Sequence, residues 1–317
     1  MEETVIEKKV LAVVVTYNRL ELLKETIEAL LTQKVNCDIL IVNNNSTDGT
    51  KDYIETCYGA NPNVILNNLP KNIGGAGGFN HGMRWGVENA YDYIWVMDDD
   101  CIVHEDTLSE LLEADKLLGG PENYGYLSSA VLWTDGHECV MNRTKAAKNF
   151  YLHLELIQYG IISITQATFV SMFIPASTII QFGLPIKDYF IWGDDIEYSQ
   201  RISLRGKKES FLVGKSIVTH KMKSNVGSEV SQDEISRIDR YRLAFRNESF
   251  TYRKRGFIGV LLYCYRCARA FKNILFHAKS HRAKRFGALI KGFFQGMVFF
   301  PKVERVGQDI SAEGNHD

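Results

Sequence analysis

Three consecutive aspartates, Asp98-Asp99-Asp100, directly follow the apolar run Tyr93 to Met97. Adjacent carboxylates repel one another unless a cation or a set of donors holds them. Alternate side chains of an extended segment share a face, so Asp98 and Asp100 can approach one ion while Asp99 faces elsewhere. Hard oxygen ligands of this kind suit Mg2+ or Mn2+ bridging nucleotide phosphates. A solvated acidic turn is the alternative. A second acid group, Asp194-Asp195 followed by Glu197, opens a helical pattern, where the helix dipole favours negative charge. Crowding of such a pair drives one carboxylate toward a proton-accepting pKa, which makes Asp195 a candidate general base. Simple N-capping by Asp194 competes with that reading. His220 ends a short apolar run and is either a core histidine or a third ligand for the ion at Asp98 and Asp100. The segment Asn72 to Phe79 has four glycines in five positions, which lets backbone N–H groups approach a ligand at the start of a helix. It matches neither G-x-G-x-x-G nor the P-loop, because Asn80 stands where a third Rossmann glycine belongs and no Gly-Lys-Ser or Gly-Lys-Thr comes after it. A tight turn without a ligand is its alternative.

These residues need elements to hold them. Val10 to Val15 is a β-branched run that reads as a buried strand and ends in Thr16-Tyr17-Asn18-Arg19. Leu20 to Gln33 has apolar residues at helical spacing. Ile39 to Val42 predicts a second strand, followed by the turn-and-cap sequence Asn43 to Gly49 and a helix from Lys51. Val64 to Asn67 predicts a third strand, the glycine loop leads to a helix from about Phe79 to Asn89, and Tyr93 to Met97 is a fourth strand. This β-α-β-α-β-α-β order implies a mostly parallel sheet whose polar loops share one edge, where open α/β sheets bind ligands. Farther on, Gly125 to Trp133 and Thr168 to Pro175 read as strands around a helix-like or mobile excursion, Thr144 to Tyr159. Asp194 leads into a helix through Leu204, capped by Gly206. Ser216 to Thr219 is a strand that delivers His220. From Asp233 the chain reads as helical to about Phe300, with the last fourteen or so residues frayed.

Composition narrows the class. The chain has 317 residues, 45% hydrophobic, with a net charge of −1, which excludes a disordered, collagenous or disulfide-stapled small protein. That neutrality is a cancellation. From Ser249 to Val303 there are twelve Lys or Arg and no Asp or Glu, so the other 262 residues hold 25 of the 37 basic groups and all 38 acidic ones. The six cysteines, at 37, 57, 101, 139, 264 and 267, have no zinc-knuckle spacing, the charged stretch from Met1 to Lys9 begins no export signal, and reduced cytoplasmic thiols are expected. Apolar stretches such as Phe257 to Tyr265 are too short to span a membrane.

In order along the chain, VVVTYNR, IVNNNSTDGT, NIGGAGGF, MDDD, WGDDIE and a strand ending in histidine resemble the metal-dependent family 2 glycosyltransferases of the GT-A fold, over about Val10 to Phe250. The NIGGAGGF and DDIE forms are most similar to the branch with bacterial galactofuranosyltransferases and some rhamnosyltransferases. The resemblance implies a Rossmann-like α/β nucleotide-diphospho-sugar transferase fold with a basic C-terminal helical region. It places the nucleoside and diphosphate of the donor on Thr16, Tyr17, Arg19, Asn44 and Asn72, with Gly74 and Gly75 in the pocket wall. Asp99, Trp192 and Asp194 complete the substrate-contacting positions. Asp98, Asp100 and His220 become the ligands of Mn2+ or Mg2+, and Asp195 the catalytic base. Many relatives carry an aspartate where this chain has Asn43 or Asn44.

The reaction this resemblance implies is an inverting sugar transfer from a UDP-linked or dTDP-linked donor, with UDP-galactofuranose first and dTDP-rhamnose second, onto a glycan or lipid-linked glycan in bacterial surface polysaccharide (O-antigen, cell-envelope) synthesis. The expected division is a catalytic domain 1–248, with a donor half of about 10–100 and an acceptor half of about 101–232, and a basic amphipathic helical region 249–317. That region interleaves Lys and Arg with Phe, Leu, Tyr and Ile as an interfacial helix does, so a cytoplasmic protein peripheral to the inner membrane face is expected, touching anionic lipid through 249–303. Packing of the basic helices on the acidic domain is the alternative. A nucleotide-sugar-binding or nucleotidyltransferase-like protein is a different class, but it would show a G-x-G-x-R type loop where this chain has TYNRL. Nucleic-acid binding, suggested by the tail alone, would put aromatic and basic residues on a sheet or groove rather than in a helical pattern, and no nucleic-acid partner is expected.

Overall fold

The computed structural model describes residues 8–307. Its first half alternates strands and helices: β1 Val10–Thr16, α1 Leu20–Leu31, β2 Asp38–Asn43, α2 Thr50–Tyr58, β3 Val64–Asn68, α3 Gly74–Glu88 and β4 Tyr93–Asp98. The second half runs β5 Cys101–Val103, α4 Thr107–Leu117, β6 Leu127–Trp133, β7 Lys145–Ala146, α5 Leu154–Ile157, β8 Ile161–Gln166, β9 Met172–Pro175, α6 Ala176–Phe182, α7 Asp194–Gln200 and β10 Ser210–His220. Three helices close the chain, α8 Ile238–Arg253, α9 Gly256–His277 and α10 Arg282–Met297.

One sheet runs through the molecule in the order β3-β2-β1-β4-β9-β6-β10-β8-β7, with β5 paired to β10. The first four strands are parallel, as the alternation of elements predicts, and their carboxyl ends bring the loops after Thr16, Asn43, Asn68 and Asp98 to one edge. Beyond β4 the pairing mixes. β9 is antiparallel to β4 and β6, β6 is parallel to β10, and β10 is antiparallel to β8 and β5. β1 shows why its run is continuously apolar. Val10, Ala12 and Val14 pack on one side with Leu23, Ile27 and Leu111, while Leu11, Val13 and Val15 pack on the other with Phe79 and Met83. A strand covered on both faces needs apolar residues at every position.

The glycines of 74–78 are not a loop but the first turns of α3. A Cβ on Gly78 would lie 2.5 Å from Val15, and one on Gly82 would lie 2.3 Å from Val13. Glycine at every fourth position, continued by Gly86, lets α3 lie close on β1. Gly74 differs, with φ at +78° and the Phe190 carbonyl where a Cβ would stand.

Several expected boundaries shift. The excursion 144–159 is no long helix but the short β7, a 3-10 turn and the single turn of α5. The strand expected from Thr168 starts at Met172, and β5, β8, α4 and α6 are additional. Gly206 ends a π-helical turn, Arg201–Arg205, with φ at −77°, and serves as the space into which the Phe182 ring packs. The boundary expected at 248 falls inside α8. Of the expected frayed end, residues 304–306 are held. Leu184 N–H donates to the Glu304 carbonyl (2.8 Å), Arg84 reaches the Glu304 carboxylate (3.2 Å), and Val306 packs against the core beside α3. The rest of that expectation, 308–317, lies outside the described residues, as do residues 1–7.

Candidate active site

The acid cluster is built where β4 ends and β5 begins. Because β5 lies antiparallel to β10, His220 stands in register with Cys101, and Lys221 N–H donates to the Asp100 carbonyl at 2.8 Å. The ladder therefore sets His220 beside Asp100, and its Nε2 lies 3.0 Å from Asp100 Oδ1. Asp98, Asp100 and His220 each offer one ligand atom, all within 4.8 Å of one another. Asp99 points away, accepting from Thr16 Oγ1 at 2.7 Å and from Arg19 Nη1 at 3.0 Å. The alternation read from the extended segment thus holds.

Electrostatics show how crowded the cluster is. Burial, then the charge of Asp100, pushes the Asp98 carboxyl up to about 7. Burial pushes Asp99 up to about 6 against the opposing charge of Arg19. Burial acts on Asp100 in the same direction, but His220 and Arg19, by hydrogen bond and charge, hold it well below the usual carboxylate range. For His220, burial acts downward and is outweighed by hydrogen bonds to Asp100 and Cys139 and by the charges of Asp100 and Asp98, which push it up to about 10. Three anionic groups thus draw in two cations, the Arg19 guanidinium and a histidine proton. Two carboxylates and an imidazole that converge in this way, with charge to be neutralised, fit a divalent ion such as Mn2+ or Mg2+.

An imidazole that ligates an ion needs a partner on its other nitrogen. Here His220 Nδ1 lies 2.7 Å from Asn142 Oδ1, and Asn142 is itself fixed by donating to Thr168 Oγ1 at 2.9 Å. Asn142 comes from the irregular stretch after β6 and has no spacing that a sequence reading could use. The signal that finds it is the histidine's unfilled donor.

The neighbouring loops at the same sheet edge carry the other residues that the sequence singled out. Tyr17 stands 46% exposed at the end of β1. Arg19 ties Asp99 and Asp100, the latter at 2.6 Å. Asn44 accepts from Ile73 N–H at 2.8 Å and donates to the Gly74 carbonyl at 2.9 Å, and Asn72 Oδ1 accepts from Gly74 N–H at 2.8 Å. Asn44 thus uses both a donor and an acceptor, which a carboxylate in its place cannot supply. Gly75 has open space where a Cβ would be, whereas Gly74 is closed off by Phe190.

The second acid motif meets the first. Asp194 is the first residue of α7, and Gly193, at φ +88°, is the cap in place of the expected Asp194. Burial, then Asp195, and farther down Asp98, hold the Asp194 carboxyl well above its ordinary range, so residues 96 positions apart share one field. Asp195 is half-buried, accepts from Ile196 N–H at 2.7 Å, and is pushed by burial up to about 6. Glu197 turns inward to Arg201 and Arg205 and is structural.

The loop before α7 holds Phe190 at φ +63° and Trp192 at φ +66°, both in the left-handed region. It is retained by α8. The fully buried Asn247 amide donates to the carbonyls of Tyr189 (3.0 Å), Ile191 (3.1 Å) and Trp192 (2.9 Å). Trp192 packs edge-on against Tyr241, with Arg237 over its ring. Asn247, like Asn142, is absent from any motif.

The parallel half of the sheet, the acid cluster at its edge and the second acid motif that shares its field form one candidate site. Residues 11–117 match the family model described as Glycosyl transferase family 2. Residues 11–117 thus carry a family 2 glycosyltransferase domain, on a GT-A fold. The chain is 26% identical over 271 residues to the galactofuranosyltransferase GlfT1 of Mycolicibacterium smegmatis, covering 78% of this chain and 82% of that one. It is 35% identical over 106 residues to the undecaprenyl-phosphate mannosyltransferase of Micrococcus luteus, a match that covers 33% of this chain and only 44% of that relative's length. Among solved structures, the mannosyltransferase PcManGT of Pyrobaculum calidifontis, in complex with GDP-Man and Mn2+, superposes with a TM-score of 0.54 at 15% identity, over 92% of this chain and 87% of that one. At that identity the likeness is one of fold.

Proposed function

We propose that the protein is an inverting glycosyltransferase that moves a sugar from a nucleoside diphosphate to a hydroxyl of a glycan or lipid-linked glycan acceptor. The observation that carries this reading is the convergence of the Asp98/Asp100/His220 donor set with the Asp194-Asp195 pair at one edge of the sheet. Asp98, Asp100 and His220 would hold Mn2+ or Mg2+, which when bound neutralises charge developing on the departing diphosphate. Tyr17, Arg19, Asn72 and the glycine-opened start of α3 line the side on which the donor sits, with Thr16 and Asn44 fixing those loops. Asp195 takes the acceptor hydroxyl proton. The acceptor oxygen bonds to the anomeric carbon, the bond to the diphosphate oxygen breaks with its electron pair on the leaving group, and the configuration inverts in one displacement.

Galactofuranose from UDP-galactofuranose is the favoured sugar. The support is that the alignment to a galactofuranosyltransferase extends well beyond residues 11–117. A screen of purified protein with Mn2+ against a panel of nucleotide sugars, scored by donor hydrolysis and thermal shift, tests it. Preferential turnover of UDP-galactofuranose is expected. Response to dTDP-rhamnose or GDP-mannose alone would replace the sugar, and no response to any donor would remove the transferase reading.

A further inference from the structure

α9 packs inward through Gly259, Tyr263, Cys267 and Ile274, against α8 and α10. On an ordinary surface helix the opposite face is polar. Here that face carries Phe257, Ile258, Leu261, Tyr265 and Phe276. Together with Val298 and Phe300 after α10, Phe257, Ile258, Tyr265 and Phe276 are 66–77% exposed. Phe294 and Ile290 extend the apolar surface along α10. Large apolar side chains exposed along one helix face in this way mark an interaction site.

Only part of the positive charge around it is spent inside the protein. Arg266 pairs with Glu248 and Lys284 with Asp239, both acids of α8. Arg253 and Arg285 donate to backbone carbonyls. Arg269, Lys272, Lys279 and Lys291 are exposed and have no acidic partner among the described residues, and the stretch 249–303 itself contains no acid. An apolar face edged by uncompensated cations matches one occupant, the headgroup and upper acyl layer of an anionic bilayer. No helix among the described residues is long and apolar enough to cross a membrane.

We infer that the outward face of α9, continued by α10, is an anionic-lipid-binding surface that seats the protein on a membrane. The inference is independent of the donor chemistry, because none of these residues belongs to the acid cluster or to the loops around it. The test is flotation of the full chain with vesicles of phosphatidylcholine alone or with phosphatidylglycerol added. The chain is expected to float with the anionic vesicles and to be released by salt. Arg269→Gln and Lys272→Gln should each lower partitioning about fivefold. Phe257→Ser with Ile258→Ser should abolish flotation while leaving the melting temperature and vesicle-free donor hydrolysis at wild-type levels. Absence of flotation with anionic vesicles, or flotation that these variants leave unchanged, overturns the inference. So does a dimer in sedimentation velocity that the Phe257/Ile258 variant dissolves, since the face would then belong to a second copy.

Discussion

A general base works best with a pKa near the working pH, and burial moves Asp195 in that direction, up to about 6. The base must be unprotonated to act, so turnover should rise with pH through about 6 and level off above it. Asp195→Asn should lower turnover by roughly 10²- to 10⁴-fold and remove that rise while donor binding persists; near-normal turnover in this variant would take the base role away from Asp195. At the ion site, Asn142→Ala should weaken Mn2+ affinity about 10- to 100-fold, through the loss of the His220 Nδ1 partner. Isothermal titration reads this directly, and an unchanged affinity would leave Asn142 a loop residue only. Legibility at this scale followed charge density. Runs of acids announce themselves because they are costly to gather, whereas Asn142 and Asn247 are single neutral amides whose value lies in what surrounds them.

Between elements, the critical junction is that of α8 with the loop 189–193. Three carbonyls share the one Asn247 amide, so Asn247→Ala leaves buried acceptors unpaired at a cost of about 1–3 kcal/mol. Turnover is expected to fall further than donor affinity, since the loop carries α7 and Asp195. Denaturant unfolding together with steady-state kinetics checks both, and equal losses in affinity and turnover would argue against this positioning role. Gly82→Ala should also destabilise, by about 1–3 kcal/mol, because the methyl would meet Val13. The parallel strands β1, β2 and β4 were legible because burial on both faces demands unbroken apolar runs. β5 and β7, at three and two residues, are too short to show a period, and β8 depends on a partner, β10, distant in sequence. The glycine segment misled for a physical reason: the same residue that opens a phosphate loop also lets a helix lie close on a strand.

For the whole molecule, the crowded acids set how stability responds to pH. In the ion-free protein, Asp98, Asp99 and Asp195 have folded pKa values of about 7, 6 and 6, above their unfolded value of about 3.9. The native state therefore binds more protons than the unfolded chain across that window, and stability falls as pH rises from about 4 to 7. His220, raised to about 10 from its ordinary value, adds stability at low pH that is lost above neutrality, a change of the same sign. Ion-free protein should melt at a higher temperature near about pH 5 than near about pH 7.5, and Mn2+ should recover the difference at the higher pH, because ligand deprotonation and ion binding are linked. Thermal melts across this range, with and without Mn2+, decide it; a flat profile that Mn2+ does not move would refute the linkage.

The pairing of β5 with β10 has a consequence in time. Asp98 and Asp100 are in place once the fourth strand is laid down, but their third partner, His220, arrives 120 residues later and only when the β10 strand docks beside β5. Closing a contact this distant in sequence costs more chain entropy than forming the neighbouring helices. A chain in which β10 has not docked beside β5 therefore holds Asp98 and Asp100 without the histidine that completes the donor set.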